Sequence, residues 1–385
     1  MNNRHPHFLL APDSFKDSLA APEICKAMAE GIRRIVPDAR ITSMPLSDGG
    51  EGFVTAMAMA SEGEIYTAEV TGPLHTPVDA RYALTGNRQN TAVIEMAEAS
   101  GLQRIPESHR NPLVTSTYGT GELIQIALVH PVERLLVGIG GSSTHDLGCG
   151  LAQALGIRFF DENGEIRRPV CGELLRTVRS IDMQGLDSRL KHVDILVACD
   201  VTNPLLGPQG AAHTYARQKG ADDQAVIQLE RDSAYIIGLM ESATGKQVRD
   251  LSGAGAGGGL GAGLLAFLDA DLRPGIELMM DITHFRSLLN DVDYILTGEG
   301  RTDAQTLHGK TVWGVIQQAK SHRVPVIILS GRIDPAAAEL DHHGVHAMIS
   351  ISPPNVPIST AMKNTGPNLV QATEAVIRQI LESHP

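Results

Sequence analysis

Residues 8–46, FLLAPDSFKDSLAAPEICKAMAEGIRRIVPDARITSMPL, decide the fold. The apolar run Phe8–Leu10 predicts a short β-strand. Pro22 suits the first turn of a helix, and apolar side chains recur at helical spacing from there to Ile35. Ile41–Leu46 then predicts a second strand. A strand, loop, helix and strand in this order begin a parallel sheet, so the stretch indicates an α/β fold.

The two ends of the chain share one pattern of predicted secondary structure, and the middle has another. Strand and helix patterns alternate near the amino terminus and again from about Phe285. From Glu64 onward, short runs bounded by Gly, Pro and Asn are typical of a β-meander. A chain of 385 residues is also longer than one core usually supports. We therefore predict a Rossmann/flavodoxin-like parallel-sheet domain formed from residues 1–63 plus 285–385, with a second, mixed α/β domain inserted at 64–284.

Composition excludes several classes of protein. The net charge is −12 without a long basic run, and aromatic residues are 4% of the chain, which argues against nucleic acid or an anionic membrane surface as partner. No stretch approaches the roughly 18 apolar residues of a membrane helix, and the apolar run near Met1 is too short for a signal peptide. Four scattered cysteines indicate reduced thiols rather than disulfides or zinc. We expect a cytoplasmic protein.

Several loops that follow predicted strands combine glycine with carboxylates and hydroxyls. Open α/β sheets bind ligands at the carboxyl ends of their strands. The loops are Asp13–Ser18, Ser47–Gly52, Gly140–Asp146 and Leu296–Lys310. A further acid, Asp200, stands at the end of another predicted strand. The cations near them are Lys16, Lys219, Arg301 and Lys310. Such a set suits a phosphate bound with Mg²⁺. For Asp200 a base, a magnesium ligand and a helix or turn cap all remain open.

Standard nucleotide motifs do not fit. Gly309-Lys310-Thr311 resembles the end of a P-loop, but Ala304 stands where its first glycine belongs. Gly253-x-Gly255-x-x-Gly258 matches the dinucleotide pattern without a convincing strand before it, so we do not predict nicotinamide binding. The glycine-rich segment 252–263 is either a phosphate-facing loop or a site of close helix packing. The residues alone indicate a phosphate-handling α/β enzyme.

Five motifs in a fixed order carry a more specific resemblance. They are Ala11–Ser18, Ser47–Gly52, Gly138–Ser142, Cys199–Pro204 and Thr297–Arg301. Together they resemble the bacterial glycerate kinases of the glycerate 2-kinase type, over essentially the whole chain. The resemblance implies ATP-dependent phosphorylation of D-glycerate to 2-phosphoglycerate. It also implies two α/β domains, one inserted in the other, with the active site in the cleft between them.

Several positions depart from the family pattern: Ser143, His145, Leu147, Ala216 and Arg217. His145 and Leu147 stand where the family tends to have Asn and Gly. Leu147 is the more notable change, because a branched side chain reduces the backbone freedom of a glycine loop.

Residue type and loop position suggest the following roles. Asp48, Asp200 and Lys16 are the predicted catalytic residues. Either Asp48 or Asp200 takes the hydroxyl proton, and the other helps to hold Mg²⁺; the predicted metal ligands are Asp200 and Glu299. The predicted substrate-binding residues are Ser14, Ser18, Gly49, Gly50 and Arg301.

The predicted phosphate- and nucleotide-binding residues are mostly glycines with backbone N–H groups to offer: Gly140, Gly141, Ser142, Gly255, Gly257, Gly298, Gly300 and Lys310. We expect Gly140–Ser142 to donate N–H groups at the start of a helix. A kinase for the 3-hydroxyl or for a related hydroxy acid such as tartronate remains an alternative, as does a non-catalytic hydroxy-acid sensor. We expect a monomer or a homodimer that binds D-glycerate and ATP.

Overall fold

The computed structural model describes residues 5–86, 90–303, 306, 311–354 and 356–383. The chain divides into two compact units. The first comprises Met1–Asp48, Thr55–Glu62 and Ile276–Pro385, and the second comprises Gly49–Val54 and Gly63–Gly275. Within the described ranges no helix combines the length and apolar character needed to span a membrane.

The strands of both units follow in chain order. They are β1 His7–Leu10, β2 Arg40–Ser43, β3 Glu64–Thr71, β4 Pro77–Leu84, β5 Thr91–Glu95, β6 Arg134–Gly138, β7 Arg158–Asp161, β8 Gly164–Glu165, β9 Ser180–Asp182, β10 Asp194–Ala198, β11 Asp271–Arg273, β12 Tyr294–Thr297, β13 Arg301–Thr302, β14 Val326–Ser330, β15 Arg332–Ile333 and β16 Val345–Ser350.

The α-helices are also given in chain order. They are α1 Ala21–Ile35, α2 Phe53–Ala60, α3 Met96–Ser100, α4 Tyr118–Ala127, α5 Cys149–Ala154, α6 Ala211–Tyr215, α7 Asp223–Thr244, α8 Ala256–Leu268, α9 Gly275–Ile282, α10 Phe285–Leu288, α11 Thr311–His322, α12 Ile358–Lys363 and α13 Thr365–Ser383.

The first unit is built on a five-stranded sheet of order β2-β1-β12-β14-β16. Every pairing in it is parallel. Counted within the unit, this is the strand order 2-1-3-4-5 of flavodoxin-like folds, which place their ligand where the order reverses, between the first and third strands. That point lies at the carboxyl ends of β1 and β12. The predicted parallel α/β fold is therefore confirmed.

Helices α1 and α13 cover this sheet closely. Apolar side chains such as Ile24 and Met28 pack into a core with Phe8 and Leu296. A Cβ atom at Gly31 would lie 2.6 Å from the Thr373 Cβ atom, so glycine is needed for the close approach of the two helices.

The second unit contains a six-stranded mixed sheet of order β11-β10-β6-β5-β4-β3. Strands β3, β4 and β5 form the predicted antiparallel meander, and β5, β6, β10 and β11 pair in parallel. A small sheet of order β8-β7-β9 was not predicted. The carboxyl ends of β5, β6 and β10 share one edge of the main sheet.

Candidate active site

The loops after β1 and β12 meet at the reversal point of the first sheet. The Asp13 N–H donates to the Gly298 carbonyl oxygen at 2.9 Å, and the Ala11 N–H donates to the Leu296 carbonyl oxygen at 2.8 Å. A Cβ atom at Gly298 would lie 1.8 Å from the Leu329 carbonyl oxygen. Only glycine therefore allows the chain to leave β12 along this path.

Asp13 is a buried carboxylate in the first of these loops. Its Oδ1 accepts the Ser14 N–H at 2.6 Å, and its Oδ2 accepts the Thr311 hydroxyl at 2.7 Å. Burial, followed by the negative charge of Asp48, raises the pKa of Asp13 to about 7. Asp13 is not among the site residues predicted from the sequence. The criterion that selected Asp200, an acid just after a buried strand, would have found it.

The other residues selected from this loop differ in exposure. The Lys16 side chain is exposed, and its positive charge partly opposes the rise in the Asp13 pKa. The Ser18 hydroxyl donates to the Met362 carbonyl oxygen at 2.9 Å and lies 2.6 Å from the Thr365 hydroxyl oxygen. Ser18 thus ties the loop to the carboxyl-terminal helices.

The loop after β12 carries Glu299 and Arg301. Glu299 is buried, with hydrogen bonds from the hydroxyls of Thr306 at 2.7 Å and Thr302 at 3.3 Å. Arg301 forms an ion pair with Asp334, and that hydrogen-bonded guanidinium holds the pKa of Asp334 below its usual range. The predicted phosphate ligand Lys310 lies outside the described residues, as does His308.

In the second unit, the Gly49–Gly50 segment lies against the carboxyl end of β6. The Gly140 N–H donates to the Gly49 carbonyl oxygen at 3.2 Å, and a Cβ atom at Gly140 would lie 2.7 Å from the Gly50 Cα atom. This corrects one expectation. Helix α5 begins at Cys149, so Gly140 is not at a helix start, and its N–H already has a backbone acceptor. Gly141 is exposed with φ +69°.

Glu95, at the carboxyl end of β5, holds the same segment. Its side chain is 1% exposed and accepts the N–H groups of Gly52 at 3.1 Å and Val54 at 3.2 Å. Burial raises the pKa of Glu95 to about 7. Glu95 is not among the residues predicted from the sequence, because its hydrogen-bond partners lie 41 and 43 residues away and no local pattern reveals them.

Asp200 follows β10 and acts as a cap. Its Oδ1 atom accepts the N–H of Gly275, the first residue of α9, at 2.8 Å. Of the three roles left open for Asp200, which were base, magnesium ligand and cap, the structure shows the cap. The side chain is exposed, which leaves it accessible to a ligand. Among the residues that the structure describes, no group of three or more His, Cys, Asp and Glu side chains is arranged to hold a metal ion.

The glycine-rich segment at the start of α8 packs closely on its neighbours. The Gly255 N–H donates to the Asn203 carbonyl oxygen at 3.0 Å, and a Cβ atom there would lie 2.2 Å from the Pro204 carbonyl oxygen. Gly257 has φ +62°, and its Cβ atom would lie 3.4 Å from the Ile139 carbonyl oxygen. Close packing explains Gly255, while Gly257 lies against Ile139, the residue just before the predicted loop Gly140–Asp146.

Comparison with known proteins gives a consistent result. The model of the glycerate kinase family matches residues 8–381. A glycerate kinase of Halalkalibacterium halodurans is 45% identical over 368 residues, 96% of each chain. Glycerate 2-kinase of Escherichia coli is 41% identical over 368 residues, again 96% of each chain. A crystal structure from Salmonella typhimurium LT2, of a protein provisionally named glycerate kinase 2, has a TM-score of 0.87 at 43% identity and 99% coverage of both chains. The chain therefore belongs to the glycerate kinase family.

Proposed function

We propose that this protein transfers the γ-phosphoryl group of ATP to the 2-hydroxyl of D-glycerate, giving 2-phosphoglycerate and ADP in the cytoplasm. The observation that carries the proposal is the likeness to E. coli glycerate 2-kinase over 96% of both chains. The acidic, glycine-rich loops at the reversal point of a flavodoxin-like sheet support it, since such loops hold anionic ligands and a divalent cation.

Asp48 is the proposed general base. It accepts the proton of the 2-hydroxyl as the new oxygen–phosphorus bond forms and the bond to the ADP oxygen breaks. Asp48 is half-buried and lies close enough to Asp13 for their charges to interact. Lys16, whose side chain is exposed, would bind the glycerate carboxylate or the transferring phosphate.

The remaining substrate contacts would come from the Lys16 and Asp48 loops and from the loop after β12. Ser14, Gly49, Gly50 and Arg301 would contact glycerate. Ser18 would act beside them from its position against the carboxyl-terminal helices.

The phosphates of ATP would be bound mainly by backbone. The proposed set is Gly141, Ser142, Gly257, Gly298, Gly300 and Lys310, because the N–H groups of Gly140 and Gly255 already donate to backbone carbonyl oxygens. Mg²⁺ bound with ATP would neutralise phosphate charge, and Asp200 and Glu299 are the carboxylates proposed to hold it. The donor set fits, because Mg²⁺ usually takes one or two carboxylates together with waters and phosphate oxygens rather than a complete protein cage.

A coupled assay of ADP release with D-glycerate tests the reaction. We expect turnover that depends on both ATP and D-glycerate, and its absence across pH and Mg²⁺ concentrations would refute the proposal. Phosphorus NMR of the product separates the 2-phosphate from the 3-phosphate. Binding of glycerate without ADP release would instead support a sensor.

Two variants test the carboxylates. Asp48→Asn should lower kcat by about 10²–10⁴-fold, as the loss of a general base usually does. Asp200→Asn should raise the Mg²⁺ concentration needed for half-maximal rate. Asp17→Asn is the matched control, because Asp17 is an exposed acid next to Lys16. Near-normal turnover of Asp48→Asn would show that another group is the base.

A further inference from the structure

A buried lysine lies behind the predicted phosphate loop of the second unit. Lys219 ends the short 3₁₀ turn Arg217–Lys219, and only 1% of its surface is exposed. Its Nζ atom donates to the Ser142 hydroxyl oxygen at 2.6 Å and to the Thr144 carbonyl oxygen at 2.7 Å. The loop and the lysine are 75 to 77 residues apart in the chain, so this is a tertiary connection.

Two glycines close to the lysine leave no space for a side chain of their own. Gly220 has φ +96°, and a Cβ atom there would lie 2.0 Å from the Arg110 carbonyl oxygen. Gly258 has φ +74°, and its Cβ atom would lie 2.9 Å from Lys219 Nζ and 2.1 Å from the Thr144 carbonyl oxygen. A side chain at Gly258 would therefore displace either the ammonium or the loop.

An ammonium at this depth is costly, because it has left water for a few polar partners. Burial lowers the pKa of Lys219 to about 7, while the negative charge of Asp146 opposes the fall. Asp146 is itself held by N–H groups of Thr117, Gly148 and Gly150. An apolar side chain of similar length would fill the space without this cost. The site is thus built to keep a hydrogen-bond donor next to Ser142.

The hydrogen bond from Lys219 to Ser142 determines where the Ser142 hydroxyl can donate. Because the Ser142 oxygen accepts from Lys219, the hydroxyl hydrogen points away from Nζ and is oriented to donate elsewhere. Donation from a cation also polarises the hydroxyl and strengthens it as a donor. A polarised O–H group is suited to an anionic oxygen.

We propose that Lys219 is a positioning residue for ATP binding. It fixes the loop from Gly140 to Thr144 and orients the Ser142 hydroxyl as a donor to a phosphate. The inference rests on the proposed function, in which this loop binds the nucleotide. Lys219 acts through Ser142 and does not touch the ligand.

The test measures nucleotide binding and turnover separately. In Lys219→Met we expect the Kd and KM for ATP to rise about tenfold or more, the usual range for losing a hydrogen bond to a charged group, with the KM for glycerate changed less than about twofold. A general loss of structure would impair both substrates alike. Lys191→Met, at an exposed lysine of the same unit, is the control and should match the wild type.

A double-mutant cycle asks whether the effect passes through Ser142. Ser142→Ala should weaken ATP binding in the wild type and have a smaller effect in Lys219→Met, because coupled residues are not additive. Additive effects, or an unchanged ATP Kd in folded Lys219→Met, would overturn the inference. If Lys219→Met does not fold, Ser142→Ala alone decides, and an unchanged ATP Kd in it overturns the inference. Failure of the proposed function is distinguishable, since the wild type would then show no turnover with glycerate.

Discussion

Replacing Asp13 by Asn should make the first unit more stable at alkaline pH while impairing the enzyme. The folded chain holds the Asp13 carboxylate in a buried site beside Asp48, and its pKa is raised to about 7 from the ordinary 3.8. The folded chain therefore binds this proton more tightly than the unfolded chain. The stability linked to it is complete below about pH 4 and is lost as pH rises through about 7.

The size of the effect follows from these two values. A tenfold change in proton affinity corresponds to about 1.4 kcal/mol, so the full difference between 3.8 and about 7 corresponds to about 4 kcal/mol. Between pH 5 and pH 8 the wild type should lose about 2.5 kcal/mol through this group. Asn does not titrate and keeps one oxygen acceptor for Ser14 or Thr311. The lost second acceptor costs about 1–3 kcal/mol, but independently of pH.

The single tryptophan makes the measurement specific. Trp313 lies in α11, in the first unit, two residues after the hydroxyl that donates to Asp13. Urea unfolding followed by its fluorescence therefore reports on the unit that contains Asp13, even if the two units unfold separately. The curves should be recorded in EDTA at several pH values from 5 to 8.

We expect the free energy of unfolding of Asp13→Asn to rise relative to that of the wild type as pH rises, and we expect kcat/KM of the variant to be reduced. Such opposite effects on stability and activity are common for strained functional sites. Asp17→Asn, which removes an exposed acid from the same loop, should show no widening gap. Parallel pH dependences for Asp13→Asn and the wild type would refute the reasoning, since the buried charge would then carry no cost.

Three further changes test other parts of the structure. Gly298→Ala should cost about 1–3 kcal/mol by overpacking, because its Cβ atom would lie 1.8 Å from the Leu329 carbonyl oxygen; Gly366→Ala, which meets no atom within 4 Å, should be neutral in urea unfolding. Leu147→Ala should lower the free energy of unfolding by about 2–5 kcal/mol because the side chain is fully buried. Leu147→Gly should recover about 1 kcal/mol of that loss, because φ at this position is +52° and glycine adopts it without strain. Equal urea midpoints for the two variants would contradict backbone strain at Leu147. Glu95→Gln should gain thermal stability relative to the wild type as pH rises towards about 7, and a constant gap would contradict the buried charge.

Much of the fold could be predicted because its determinants are local. The run Phe8–Leu10 and the apolar spacing up to Ile35 gave β1 and α1 within a residue or two. The meander was predicted from three short runs bounded by turn residues, and it forms β3, β4 and β5. The sheet of β7, β8 and β9 was missed because its strands are only two to four residues long and have no period to detect.

The candidate site was only partly predictable, because its decisive contacts join distant parts of the chain. The loops could be selected from their composition. The bond between Asp13 and Thr311 spans 298 residues. The Glu95 carboxylate, at the end of β5, accepts N–H groups from the start of α2. Gly140 shows the opposite error. Its position in a loop after a strand was predicted correctly. Its N–H was expected to be available to a phosphate, but it donates to the Gly49 carbonyl oxygen.

The buried acids of this chain differ in how far hydrogen bonds and cations compensate their charge. Glu241, Glu95 and Asp13 are similarly buried, with 4%, 1% and 9% of their surfaces exposed. Burial acts to raise the pKa of Glu241, but hydrogen bonds from the Arg249 guanidinium and from backbone N–H groups outweigh it, and the pKa is lowered. Such an acid stabilises the fold. Asp13 and Glu95 lie at the carboxyl ends of strands, and both pKa values are raised to about 7. A buried acid whose charge is incompletely compensated weakens the fold. Because Asp13 and Glu95 lie near the strand ends where α/β proteins bind ligands, we predict that both have a role in the reaction.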